Sequence, residues 1–264
     1  MIKKFTLYFF IGILIFLPAV FSWAASGNQP TLITPLSAFE KSFKNLIKKA
    51  SIEKQFYGNQ IEKLYLYGWS KRGLIAYGID TIGDCDIYDR IVVKDLVTDV
   101  ELFSCDGSCN VESDGILNQE GDRIAFPSFY ESWDFNWPTV SSYFKKEGIR
   151  FYKKSKLRQF PLNLKDDRIN VRVKTAVEKE TLEIKGVELV VESKKRGQKT
   201  VHAETFDADS SFGFPIIIKV LGYVRSPYER RIGIVLARQF LQEDGKVSTY
   251  LDIYGAALTA GYVK

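Results

Sequence analysis

The chain carries one histidine, His202, and three cysteines, Cys85, Cys105 and Cys109. These four residues bound its nucleophilic and metal chemistry. A Ser-His-Asp hydrolase would have to use His202, and no G-x-S-x-G phrase accompanies it. His202 alternates with Thr200 and Glu204, which reads as the solvent-facing side of a strand. Three thiols and one distant histidine lack the spacing of a zinc site. No cofactor phrase is present, so we expect neither a metal nor a cofactor. Carboxylates gather at Asp80, Asp84, Asp86 and Asp89, and again at Glu131 and Asp134. Paired acids can cleave glycosides, and oxygen ligands can hold calcium. The EF-hand order is missing, and a polar loop between strands accounts for the same residues.

Two other groups could bind rather than react. Phe126, Phe129, Tyr130, Trp133, Phe135, Trp137, Tyr143 and Phe144 form the densest aromatic stretch. Such rings stack on sugars or anchor a protein partner, which makes Tyr130, Trp133, Phe135 and Trp137 the candidate binding residues. They can equally fill the core beneath an irregular loop, the commoner use of aromatic residues. Basic residues gather at Lys145, Lys146, Lys153, Lys154, Lys156 and Arg158 around Phe151 and Tyr152, and again at Lys194, Lys195, Arg196 and Lys199. These suit anionic headgroups or acidic glycans, or are solvated turns that keep strand edges from pairing.

The elements that must position these groups are mostly strands. Short runs at Leu64–Gly68, Leu74–Ile79, Ile91–Leu96, Val100–Ser104 and Arg123–Phe129 are separated by turn residues. The stretch from Phe129 to Lys156 reads as irregular, broken by Pro138 and Gly148. Ile169, Val171 and Val173 alternate with polar partners. One hairpin turns at Lys194–Gly197 between Val187 and Phe206, another at Glu243–Gly245 between Ile232 and Tyr254. The one helical pattern is Leu36, Phe39, Phe43, Leu46, Ile47 and Ala50, which predicts a helix over 35–56.

Ahead of these elements, Lys3 and Lys4 precede an apolar run from Phe5 to Phe21, and Ser22 and Ala24 supply the small side chains of a cleavage site. This reads as a signal peptide over 1–24, cut before Ala25. A linker over 25–34 and a single mainly β domain over 35–264 follow. No later run is long enough to span a bilayer, so no transmembrane segment is expected after cleavage. The formal net charge of +5 is mild and falls further when Lys3 and Lys4 leave, so no nucleic-acid partner is expected.

Export permits disulfides. In a hairpin turning at Val97-Thr98, Asp95 faces about Val100, and the extended register sets Cys85 opposite about Cys109. That predicts a Cys85–Cys109 bridge with Cys105 free. A local Cys105–Cys109 bridge is the rival.

The segment Gly68-Trp69-Ser70-Lys71-Arg72-Gly73-Leu74-Ile75-Ala76-Tyr77 looks like a G-[FW]-S-x-x-G-x-x-A-Y strand-turn-strand phrase. Ile91 to Asp99 is similar to the V-x-D-L-x-T-G hairpin of propeller-like blades, with Asp99 where glycine is usual. Together with Val220-Leu221-Gly222-Tyr223-Val224-Arg225-Ser226-Pro227, this resembles a group of predicted secreted bacterial proteins of unknown function. The resemblance implies an exported β protein and no catalytic residue. The expectation is therefore mainly β with one N-terminal helix, its antiparallel sheets in a propeller-like partial stack or else a β-sandwich. Its expected role is that of a non-catalytic periplasmic or secreted protein binding an envelope macromolecule, protein or glycan. A carboxylate-based glycoside hydrolase acting on cell-wall or extracellular glycan is the alternative.

Overall fold

A computed structural model describes residues 31–32, 59–82, 87–106, 129–152, 156–179, 181, 183–207, 214–241 and 247–263. The leader, the linker beyond Thr31–Leu32, the helix expected over 35–56 and the strand expected from Arg123 lie outside them. In chain order the described elements are β1 (Thr31–Leu32), β2 (Asn59–Trp69), β3 (Leu74–Ile82), β4 (Ile87–Asp95), β5 (Glu101–Asp106), α1 (Phe129–Glu147), β6 (Arg150–Phe151), β7 (Leu162–Asn163), β8 (Arg168–Val177), β9 (Ile184–Ser193), β10 (Gly197–Thr205), β11 (Pro215–Arg225), β12 (Arg231–Leu241) and β13 (Val247–Ala257).

Two antiparallel meanders, β2–β5 and β11–β13, make up most of the larger sheet. They join where Val247–Thr249 of β13 runs parallel to Asn59–Ile61 of β2. Beyond Thr249 the two strands part. The edge that β13 leaves on β2 is taken by β1, with Thr31 opposite Leu66, and by β6, with Phe151 opposite Gly68. The smaller sheet has the order β10-β9-β8-β7.

Alternation along the strands decides the layers. Leu64 and Leu66 of β2, Ile75 and Tyr77 of β3 and Val92 of β4 share one buried cluster with Val224, Val235, Leu251 and Ile253, so the two meanders face each other. A bulge at Tyr67 shifts the β2–β3 register, so Trp69 also turns into this core instead of following Tyr65 and Tyr67 outward. On the outer face of the first meander, Tyr65, Tyr67, Leu74, Ala76, Ile91 and Val93 pack against α1. On the outer face of the second, Ile232, Ile234, Leu236 and Tyr254 pack against Ile169, Leu189 and Val191 of the smaller sheet.

The molecule is thus mainly β and antiparallel, as expected. Within that class the described strands gather into one nine-stranded and one four-stranded sheet laid face to face. Bulges in β2, β5 and β11 shift the register within the larger sheet.

The helix α1 corrects the irregular reading of 129–147. Trp133, Trp137, Val140 and Phe144 recur at four, three and four residues and form its packed stripe. Pro138 sits inside it, where proline removes one intrahelical bond without ending the helix. The end comes at Gly148, in the left-handed region at φ +67°. Ile149 N–H donates to the Phe144 carbonyl (2.8 Å) and Gly148 N–H to that of Lys145 (3.3 Å), a Schellman cap.

Candidate functional site

Trp133 and Phe144, with Trp137 and Tyr143 packed against them, belong to the core, which corrects the binding role expected of Trp133. Its indole is 1% exposed, stacked on Tyr67 with ring centroids 4.3 Å apart. Trp137 is half-buried, 4.8 Å from Trp133 and edge-on to Phe151. One turn of helix places both rings on the same sheet face. The backbone of Tyr130, Glu131, Asp134 and Phe135 is helical, and their side chains lie outside the described residues.

The cysteine register also needs correction. Asp95 does face Val100, whose carbonyl accepts the Asp95 N–H at 2.8 Å. A bulge at Leu102 then shifts β5 by one residue, so that Val93 faces Phe103 and Ile91 faces Cys105. Cys105 is buried under α1 and disulfide-bonded, so it is not the free thiol that a Cys85–Cys109 bridge requires. Cys85 and Cys109 lie outside the described residues.

Of the acids, Asp80 is buried and accepts from Lys63 Nζ (3.3 Å) and the Tyr65 hydroxyl (3.5 Å), so it is a structural anion. Asp84 and Asp86 lie outside the described residues. The basic turn at 194–197 is likewise tied down, since Arg196 pairs with Asp167 at 2.7 Å. Lys199 donates to the carbonyls of Ala257 and Ala260, and burial lowers its ammonium pKa to about 8. Lys145 and Lys146 close the last turn of α1, where cations suit the helix dipole.

His202 is not solvent-facing. It lies against the Tyr254 ring at 3.9 Å and bonds Glu204 at 3.2 Å, inside a polar knot where β13 parts from β2. Glu204 also takes Arg238 of β12 at 2.9 Å. Lys94 reaches in from β4 to Asp252 of β13 at 2.9 Å, over the Tyr254 ring, and the Tyr77 hydroxyl donates to the same carboxylate at 3.4 Å. Burial opposes the charge on Asp252, but the Lys94 ammonium, the Ile253 N–H and Arg238 together outweigh it and hold the carboxyl below its usual range. The His202 hydrogen bond, against some burial and with help from Arg238, holds Glu204 low as well. Burial first, then the Asp252 charge, pushes the Tyr77 and Tyr254 phenols up.

The same parting leaves backbone N–H groups of β13 without a strand neighbour. Ile253 N–H donates to Asp252 Oδ1 and Gly255 N–H to Asp99 Oδ1, both at 2.7 Å. Asp99 occupies the left-handed region at φ +58°, where a turn of this kind usually carries glycine. Its carboxylate gives the Gly255 N–H the acceptor that a glycine there could not. This knot binds layer to layer, and its charges are spent on one another.

A concave site of about 420 Å³ lies on the rim, at the turn between β11 and β12. Tyr152, Lys156, Arg158, Arg225, Tyr228 and Arg230 line it. Its backbone is pinned on several sides. Arg158 exchanges both backbone bonds with Tyr223 (2.9 and 2.8 Å), and Tyr152 N–H donates to the Tyr67 carbonyl (3.1 Å). Gly222, at φ +148°, lets the 156–159 segment approach, because a Cβ there would run into the Arg158 carbonyl. In the turn, Ser226 Oγ accepts the N–H groups of Tyr228 (3.3 Å) and Glu229 (3.4 Å). Glu229 spends one oxygen on Arg231 Nε at 3.0 Å. Among the described residues, none of the four lining cations has an acid within ion-pair distance.

Sequence reasoning had Tyr152, Lys156 and Arg158 in hand as one basic group. Arg225, some seventy residues later, falls in the Val220–Pro227 phrase, and Arg230 in no motif described above. What joins them is the isolated bridge between Arg158 and Tyr223, which no spacing encodes. Comparison with protein-family models, with curated proteins and with solved structures finds no match to this chain.

Proposed function

We propose that this chain is an exported, non-catalytic protein that binds a macromolecule of the cell envelope, with the rim groove as its contact surface. The observation that carries the reading is the convergence in one concavity of two tyrosines and four cations with no acid partner among the described residues. Unpaired cations in a cleft focus a positive potential and draw in anions. The charged leader, apolar run and small-residue cut support export, and a disulfide at Cys105 suits an oxidising compartment. No helix among the described residues is long and apolar enough to cross a membrane.

Two measurements test this. Mass spectrometry of the native protein is expected to find a new N-terminus at Ala25, whereas an intact Met1 in the membrane fraction would refute cleavage. Purified mature protein is expected to co-sediment with isolated envelopes. The Arg158→Glu/Arg225→Glu variant should lose about tenfold in retention or more at unchanged melting temperature, because it replaces attraction by like-charge repulsion. Equal retention of the two proteins would remove the groove from the function.

A further inference from the structure

We infer that the groove takes an acidic polysaccharide, a chain of pyranose rings bearing carboxylates; this deepens the binding reading above and rests on it. Three of the four lining cations are arginines, Arg158, Arg225 and Arg230, whose planar forks match a carboxylate with two parallel hydrogen bonds. Tyr152 and Tyr228 share the groove, each 37% exposed, so each presents an amphipathic ring at the water boundary. Cations and open rings together fit a ligand that alternates negative charge with apolar ring faces.

Two features separate this ligand from other polyanions. The cations line a concavity, so a chain can thread among them where a flat lipid surface reaches only the rim. Glu229 also lines the groove, and only its Oε1 is taken by Arg231. Its other oxygen, Oε2, accepts hydroxyl hydrogens, which a sugar supplies and a phosphate diester backbone does not. The pinned backbone at Arg158 and in the Ser226 turn means the lining is held before the ligand arrives, which lowers the ordering cost of binding.

The test is a titration of the mature protein with four probes: oligogalacturonate, its neutral methyl ester, polyphosphate, and vesicles rich in phosphatidylglycerol. Oligogalacturonate is expected to bind best, at least about tenfold tighter than its ester, with affinity falling as salt rises. Arg158→Glu/Arg225→Glu should abolish binding. Tyr228→Ala should weaken the glycan several-fold while Tyr228→Phe, which keeps the ring, binds normally. Melting curves of each variant confirm that the fold is retained. Tighter binding of polyphosphate or vesicles overturns the ligand class while leaving the groove as a binding site. No binding to any of the polyanions, or binding indifferent to the charge reversal, overturns both.

Discussion

Asp99 is a residue whose cost and use can be separated. A non-glycine side chain at φ +58° carries roughly 1 kcal/mol of strain, less for the short polar residues that tolerate this region. Its carboxylate caps the Gly255 N–H, which would otherwise be an orphaned donor worth about 1–3 kcal/mol. Asp99→Ala should therefore lose about 2 kcal/mol or more in urea unfolding, whereas Asp99→Asn, which keeps an acceptor, should come close to the parent. Burial raises the Asp99 carboxyl above its usual range. A raised folded pKa favours the folded state most at low pH, and that advantage fades as pH rises through the folded value. The melting temperature of Asp99→Asn should thus gain on the parent between pH 4 and pH 7, and a constant difference would refute the sign. Asp252 runs the other way. Its depressed carboxyl contributes stability above about pH 4, the value of a free aspartate, and loses it as pH falls through the folded value. Asp252→Ala strands Lys94, whose side chain is 7% exposed, and should cost about 3 kcal/mol, with Lys94→Met recovering much of it in the double variant. The sequence flagged Asp99, because glycine is usual at that turn. It misread His202, because a bulge at Val201 breaks the alternation and turns His202 and Glu204 to the face opposite Thr200.

At the scale of elements, two glycines distinguish local strain from lost packing. A Cβ at Gly148 meets nothing within 4 Å, so Gly148→Ala tests the left-handed cap alone and should cost about 1 kcal/mol by thermal unfolding. At Gly222 a Cβ collides with the Arg158 carbonyl. Gly222→Ala should push the 156–159 segment off β11 and weaken envelope binding as well as stability, whereas Gly148→Ala leaves binding intact. The strands were largely legible, because period-two alternation and turn residues are local signals: β2 to β5, β9 with β10 and β12 with β13 all fall where the runs lie. The helix α1 was hidden by its own composition. Its stripe is regular at Trp133, Trp137, Val140 and Phe144, but extra aromatic residues between them and Pro138 obscured the period. The register used for the cysteines slips at a single bulge at Leu102, since one extra residue shifts everything beyond it. A non-reducing peptide map is expected to find Cys105 in a bridge, and an alkylated Cys105 would contradict the structure.

For the whole molecule, the layers rest on long-range pairings that no window of sequence contains. The basic group at Lys156 and Arg158 was visible, but its partners at Arg225 and Arg230 arrive through the pairing of Arg158 with Tyr223. The same construction governs how the chain could be divided. The two meanders share only three parallel residue pairs, yet they bury one core between them, so neither is complete alone. The chain crosses from the first to the second between Tyr152, pinned to β2, and Arg158, pinned to β11. A backbone cut between Tyr152 and Lys156 should therefore yield two fragments that are unfolded apart and complement each other when mixed. Because Tyr152 lies on one fragment and the arginines on the other, reassembly would rebuild the groove across the cut. Recovery of ligand binding on mixing would then report the docking of the halves, making the protein a split sensor whose signal is its own rim.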